Sequence, residues 1–521
     1  VSRQVSPTSW TGLQLLTPAG ADVSGNADLG IAGNGLVIAT ATVNGDEANN
    51  KLFATEWWEG QAPLPPKVIS ASHSWGPSLD VNTKGEALVA YTYGGLNTDV
   101  VTVSRRTPGQ GWSIGDSTSN TGDVAAPPEV ALSDNGQGQV IYADIQNGFY
   151  VAQTSRVLPD GTAMPDQTVG PVDEYVYETS VDINATGSAL FTWISKKNAL
   201  TRVFSASAAN GAYPGTASPL SGTTTNAVDP TARISDSGLR VVQHSGDGQV
   251  VTHTRTGGIQ PFVPVYSGNG FHADDAVDVD REGNAISVAF KPAGGISGKF
   301  FDAAGPTVAI DTLPANMLEN PPLPMTVFPI SWTMEDSLSN IPSSDIYATR
   351  AAWNEAGHSD PEVLVNDAPG TEADVPWKLG TSYCLQVRST DAAGNSTTSD
   401  PSCTTVPLDD RGLVGDGWNK VTQSGNFRNT LLTTNKQGRT LTRTGVKAKR
   451  LALVVRKTDG GGTVKVTFAG ETLGSYSLDG TGKKKVINMA AFPTVKSGTL
   501  TIKVTSPDGK LVSIDGLVVA K

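Results

Sequence analysis

Leu79-Asp80-Val81-Asn82-Thr83-Lys84-Gly85, followed one residue later by Ala87-Leu88-Val89-Ala90-Tyr91, is the stretch whose reading decides the fold. Its first half alternates apolar and polar residues, its second half is a short apolar run, and Asn and Gly stand between. That is a strand, a tight turn and a second strand. The phrase returns as Val181-Asp182-Ile183-Asn184-Ala185-Thr186-Gly187 before Ala189-Leu190-Phe191-Thr192-Trp193. It returns again as Val277-Asp278-Val279-Asp280-Arg281-Glu282-Gly283 before Ala285-Ile286-Ser287-Val288. The turn glycines Gly35, Gly85, Gly136, Gly187, Gly238 and Gly283 are separated by 50, 51, 51, 51 and 45 residues. A period near fifty with strand alternation and no helical period reads as a four-stranded propeller blade.

Working outward, each hairpin is followed by a third strand, such as Val100-Val101-Thr102-Val103-Ser104, and a short fourth, such as Gly111-Trp112-Ser113-Ile114. The N-terminal Gly12-Leu13-Gln14-Leu15-Leu16-Thr17 reads as a fourth strand with no first three before it. An orphan of that kind is what closing the ring would require, since it leaves no open sheet edge. Six blades are expected, with a degenerate seventh as the alternative.

With 521 residues, 57 Gly, 32 Pro and 17% charged residues, the chain falls in the turn-rich all-β class and is long enough for several domains. No run of 18 apolar residues occurs, so no membrane span is expected. The chain begins at Val1 rather than Met, as a mature exported protein would. The net charge of −12 hides a division. Residues 408–521 hold 19 Lys and Arg against 8 Asp and Glu, whereas the preceding residues hold 19 against 42. Two surfaces with different partners are implied.

Past Gly305 the rhythm changes to short strands, including Ile330-Ser331-Trp332-Thr333 and Tyr383-Cys384-Leu385-Gln386-Val387-Arg388-Ser389. Cys384 and Cys403 lie symmetrically about the Ala393-Gly394 turn, so a hairpin folded there sets them opposite one another within disulfide reach. The phrase Tyr383-x-x-x-Val387-x-x-x-Asp391-x-x-Gly394-Asn395 is similar to the sixth and seventh strands of fibronectin type III modules. The resemblance implies a seven-stranded sandwich anchored by buried Tyr and Trp, with a spacing or interaction role. From Leu408 period-two alternation runs to the end, giving a β-sandwich. This layout resembles secreted multidomain proteins of actinobacteria, and Val512-x-Ile514-Asp515-Gly516-Leu517-x-Val519 looks like the last strand of jelly-roll carbohydrate-binding modules. The expected domains are therefore a propeller over 1–305, a fibronectin-like sandwich over 306–407 and a basic jelly-roll-like sandwich over 408–521.

Residues able to carry chemistry are few. The turn oxygens of Asp80, Asn82, Asp278 and Asp280 suit hard cations, but the same residues at the same offsets build hairpin turns, and the closing Glu of a calcium loop is missing. Structural calcium is the one candidate cofactor. The turns resemble the Asp-boxes of sialidases, without the trailing Trp of that motif. His272, Asp274 and Asp275 form the densest ionisable group of the repeat region and supply an acid/base or cation-binding candidate. Trp57 and Trp58, adjacent on a strand, point to opposite faces, so one of them is expected to reach the surface or a neighbouring blade as a ligand contact. Lys447, Lys449 and Arg450, with Lys483, Lys484 and Lys485, form two basic clusters that suit an anionic polymer or simply guard a strand edge. Nucleophile elbows, phosphate loops and zinc motifs are missing.

The function expected from these residues is that of an extracellular, non-enzymatic binding protein for a glycan or an anionic cell-wall polymer, with other surface proteins as further partners and no nucleic acid. The alternative is a propeller glycoside hydrolase using carboxylates at the channel. A structural subunit of a surface assembly is the third reading.

Overall fold

The computed structural model describes all residues except 1–3, 7–8, 11–16, 19, 44–49, 59–60, 71, 95–98, 114, 119–123, 225, 247–248, 256–262, 270–276, 292–293 and 319–326. The chain is all-β and falls into two compact units, Val1–Ala304 and Gly305–Lys521.

Among the described residues the first unit holds six antiparallel meanders, beside a two-stranded pair near its start. Their innermost strands are Val23–Ile31, Ser74–Val81, Val124–Leu132, Tyr175–Ile183, Ala227–Ile234 and Val277–Val279. The first five meanders have four or more strands and the sixth has three. Every turn glycine named above has φ between 80° and 113°, the left-handed conformation that favours glycine. Five inner strands carry the same register shift about halfway along, as between Trp75 and Ser78 or Val176 and Thr179. A bulge there bends the strand and re-aims the residues that lead into the turn.

Neighbouring meanders are packed by alternating apolar faces. Leu88, Ala90, Val101 and Val103 of the second blade share one core with Val130, Leu132, Val140 and Tyr142 of the third. Polar clips at one repeat length reinforce this packing. The Asp28 carboxylate accepts the Leu79 amide at 2.8 Å, Asp80 accepts Leu132 at 2.6 Å, and Asp182 accepts Ile234 at 2.7 Å. Asn82 donates to the Ser133 carbonyl, and Asn184 does the same to Ser235. The repeat is thus a β-propeller whose inner strands are laced together at their turn ends. The ring-closing strand expected at Leu13 to Leu16 lies outside the described residues.

In the second unit a three-stranded sheet (Thr307–Ile310, Val327–Glu335, Glu372–Pro376) faces a five-stranded one that includes Ser343–Ala352 and Thr381–Thr390. Trp332, Tyr383, Leu385 and Val387 lie between them, and the Tyr383 hydroxyl accepts the Lys378 amide. Cys384 pairs with Cys403 across the strands and the two form a disulfide. The last segment is a sandwich built from one eight-stranded sheet, whose two very long strands, Thr440–Arg456 and Lys484–Val504, pair through register shifts along their length. Its core holds Leu441, Leu453, Val466, Phe468, Ile502 and Ile514. The two sandwiches exchange anchors: Phe427 enters the core of the first, and Trp353 packs against that of the second beneath the Arg443 guanidinium, 3.8 Å from its ring.

Candidate functional site: the propeller channel

The residue five places before each turn glycine is Gly30, Asp80, Ala131, Asp182, Arg233 and Asp278 in the six blades. Two places before the glycine stand Gly33, Thr83, Asp134, Ala185, Asp236 and Arg281. All of these except Gly30, Gly33 and Ala131 line one cavity of about 280 Å³. Asp80, Asp134, Asp182, Asp236, Asp278 and Asp280 line it, with Arg233 and Arg281.

The acids are held, not loose. Asp80 takes the amides of Val81 (2.7 Å) and Leu132 on its two oxygens, and Asp182 takes those of Ile183 (2.8 Å) and Ile234. Each carboxylate offers about four lone-pair sites, so two amide bonds leave acceptor capacity on each. Asp134 accepts the Thr83 amide and hydroxyl, and Asp236 accepts the Ala185 amide. Arg281 reaches across from the sixth blade to Asp134 in the third (3.4 Å) and Asp236 in the fifth (3.8 Å). The guanidinium of Arg233 lies 3.7 Å from Asp278.

The two clip aspartates differ electrostatically. Burial pushes Asp80 up to about 7, and the charges of Asp182 and Asp28 add to the rise against its two amide bonds. Asp182 is pushed by burial only to about 6, because Arg233 beside it favours the ionised form. Both carboxyls are thus raised, Asp80 further than Asp182. A carboxyl pair whose surroundings separate its titrations is equipped for acid and base roles at once.

Of the sequence-selected residues, Asp80, Asn82, Asp278 and Asp280 line this cavity, and the other described ones lie elsewhere. Asn82 closes its own turn, its oxygen accepting the Lys84 and Glu86 amides, and Asp280 likewise accepts Gly283 and Asn284. These oxygens have the turn role that competed with the calcium reading. Trp57 is buried with its indole N–H on the Gln61 carbonyl, and Trp58 is half-buried against the core of the first two blades. Trp57 is thus the packed member of the pair, and Trp58 is the one that reaches toward a neighbouring blade with part of its ring exposed. His272, Asp274 and Asp275 lie outside the described residues. The basic clusters are divided: Lys449, Lys483 and Lys485 are exposed and Lys447 is half-buried. Arg450 bonds the Ala315 carbonyl and Asn316, and Lys484 bonds the Leu318 carbonyl. Those two cations pin one sandwich of the second unit to the other, because a strand edge facing protein rather than water must satisfy the carbonyls it meets.

What sequence reasoning missed was an alternation. Asp80-x-Asn82 and Asp182-x-Asn184 recur 102 residues apart, and so do Ser133-Asp134 and Ser235-Asp236. Pooling the copies as one turn motif concealed that alternate blades carry different channel residues.

The arrangement defines an all-β protein built on a propeller with a polar, mixed-charge channel. No protein-family model and no curated protein matches the chain. Among solved structures it is similar to an exo-beta-1,3-galactanase from Phanerochaete chrysosporium, at 12% identity over 87% of this chain and 96% of that one, with a TM-score of 0.26. It is also similar to a glycoside hydrolase family 43 arabinoxylan arabinofuranohydrolase from Bacillus subtilis (13%, 96% and 96%, TM-score 0.25). A polysaccharide lyase of family PL25, an ulvan lyase, is similar at 10% over 53% of this chain and 78% of that one, with a TM-score of 0.34. At these values any functional reading stands on the channel residues alone.

Proposed function

We propose that the protein acts on carbohydrate and that its propeller channel hydrolyses a glycosidic bond. The observation that carries this is the Asp80 and Asp182 pair, fixed by backbone amides in one cavity and separated in titration by Arg233. Asp80, whose carboxyl burial raises to about 7, supplies the proton to the leaving oxygen. Asp182, held ionised by Arg233, activates water or stabilises the positive charge that develops at the anomeric carbon. Arg281, tied to Asp134 and Asp236, presents fixed donors and acceptors to sugar hydroxyls. The hydrolase is thus the expectation that the channel favours.

The test is release of reducing sugar from a polysaccharide panel by the full chain and by Asp80→Asn and Asp182→Asn. Loss of roughly 10²–10⁴-fold in either folded variant is expected. Wild-type turnover in both would remove the pair from the reaction.

A second reading, of a binding protein without turnover, is favoured by one observation: each clip carboxylate already serves a neighbouring blade. On that reading the exposed Lys449, Lys483 and Lys485 hold the second unit to an anionic polymer. Both readings place the protein outside the cell, in keeping with its disulfide.

A further inference from the structure

The inner strand that carries Asp182 near its end begins at Tyr175, seven residues away and roughly 23 Å along an extended strand. Around that far end four aromatic rings form a row. Phe149 lies 5.4 Å from Tyr175, Tyr175 lies 5.3 Å from Tyr150, and Tyr150 lies 6.0 Å from Tyr177. The Lys196 ammonium stands 5.9 Å from the Tyr177 ring centroid and closes the row. Tyr175 is 37% exposed and Tyr177 45%, although aromatic residues of this size normally sit in a core.

The row is held rigidly. Phe149 follows the two-residue turn Asn147-Gly148, both with positive φ (51° and 81°), and pairs with Gln146 across the hairpin. Tyr150 bridges to Tyr175 in parallel, joining the third blade to the fourth. Hydrogen-bonding groups flank the rings: Gln146 donates to Asp144, and Lys197 is paired with Asp173 at the exposed rim.

We propose that this row is a binding ledge for a neutral polysaccharide chain, separate from the channel cavity. Area argues against a protein partner. The exposed parts of Tyr175 and Tyr177 together offer on the order of 150–200 Å², against roughly 800 Å² per partner in a stable protein interface. A pyranose needs far less. Its face of axial C–H bonds lies on the electron-rich face of an aromatic ring, while its equatorial hydroxyls reach sideways to polar groups. Rings in a row with amide, ammonium and carboxylate groups beside them supply both. Lys196 and Lys197 are matched by Asp173 and Glu174, so the ledge has no net charge to attract a polyanion, and a neutral chain is the occupant that fits. The proposal deepens the carbohydrate-directed reading and rests on it. The ledge holds the polymer, and the channel does the chemistry.

The test is affinity electrophoresis of the full chain through gels containing xylan, laminarin or galactan, which reads binding without needing turnover. Wild type is expected to be retarded by at least one of the three. The variant Y175A/Y177A should lose at least ten-fold in affinity while remaining folded by circular dichroism, and Y175F/Y177F should keep most of the binding. D80N/D182N should lose turnover but remain retarded, so that failure of the channel reading and failure of the ledge are told apart. Retardation of Y175A/Y177A equal to wild type, loss of binding in D80N/D182N, or no retardation of wild type by any of the three would each overturn the ledge.

Discussion

Replacing Asp80 by Asn should tilt the pH dependence of propeller stability, and the size of the tilt follows from the channel. The folded Asp80 carboxyl is pushed by burial to about 7, against an ordinary value of 3.8. Being raised, it binds a proton in the folded state that the unfolded chain has released. The stability it confers is therefore complete below pH 4, falls as pH climbs, and is gone above about 7. At 1.36 kcal/mol per tenfold in proton affinity the full effect is about 4 kcal/mol. The side chain is only half-buried in the channel wall, so about 2 kcal/mol is the working figure. The amide that replaces the carboxyl has no titration. Its single oxygen would accept only one of the Val81 and Leu132 amides, at a cost of about 1 kcal/mol at every pH. The variant should thus melt about 2 °C below wild type at pH 4 and about 2 °C above it at pH 8, crossing between pH 5 and 7. Differential scanning fluorimetry at half-unit pH steps reads both curves. An offset that stays constant from pH 4 to pH 8 would show that Asp80 titrates normally, and the acid role assigned to it would fall with it.

Three further perturbations test the framework. Opening the Cys384–Cys403 bond with Ser at both positions should cost about 3 kcal/mol for its 19-residue separation, lowering the melting of the second unit alone; equal loss in both units would contradict the division of the chain. Asp515→Ala orphans the buried Phe427 amide, which both Asp515 oxygens accept at 2.9 and 3.0 Å, and should cost about 3 kcal/mol by urea denaturation followed through tryptophan fluorescence. Gly30→Ala would place a Cβ 2.3 Å from Val81 Cγ2 and should lower the propeller midpoint by about 1–3 kcal/mol, whereas an unchanged midpoint would mean that the first two blades are not so closely packed.

The turn glycines were legible because a left-handed turn residue is dictated locally, and the repeat displayed it six times. Cys384 and Cys403 were legible because their pairing follows from one hairpin. The channel was legible only in part: Asp80 and Asp278 stood out as turn oxygens, but nothing local showed that Asp182 and Asp236 join them, because only the packing of successive blades brings these residues together. The aromatic row was equally hidden, as Phe149 and Tyr175 meet only through the bridge between two meanders. Lys484 and Arg450 misled for the opposite reason. Their charge was legible, but the carbonyls that bind them belong to residues 315–318, more than a hundred positions away.

A structural clip does not explain everything in the channel, and Arg233 separates the two roles. Two of the clips use an acceptor five places before the turn glycine, supplied by Asp80 and Asp182. An arginine at the matching place in the fifth blade accepts nothing, yet it stands 3.7 Å from Asp278 and favours the charged form of Asp182. Arg233→Met would leave the Asp80 and Asp182 clips in place and remove only the positive charge. Stability should then change by less than about 1 kcal/mol, because the ion pair is partly open to solvent. The titration of Asp182, however, should move upward toward that of Asp80. If the pair performs acid and base chemistry, the acidic limb of the pH–rate profile should shift upward with it and turnover near pH 6 should fall about ten-fold. A profile unchanged in shape would mean that Asp182 does not act as the charged partner, and its carboxylate would be left with the lacing of two blades as its whole role.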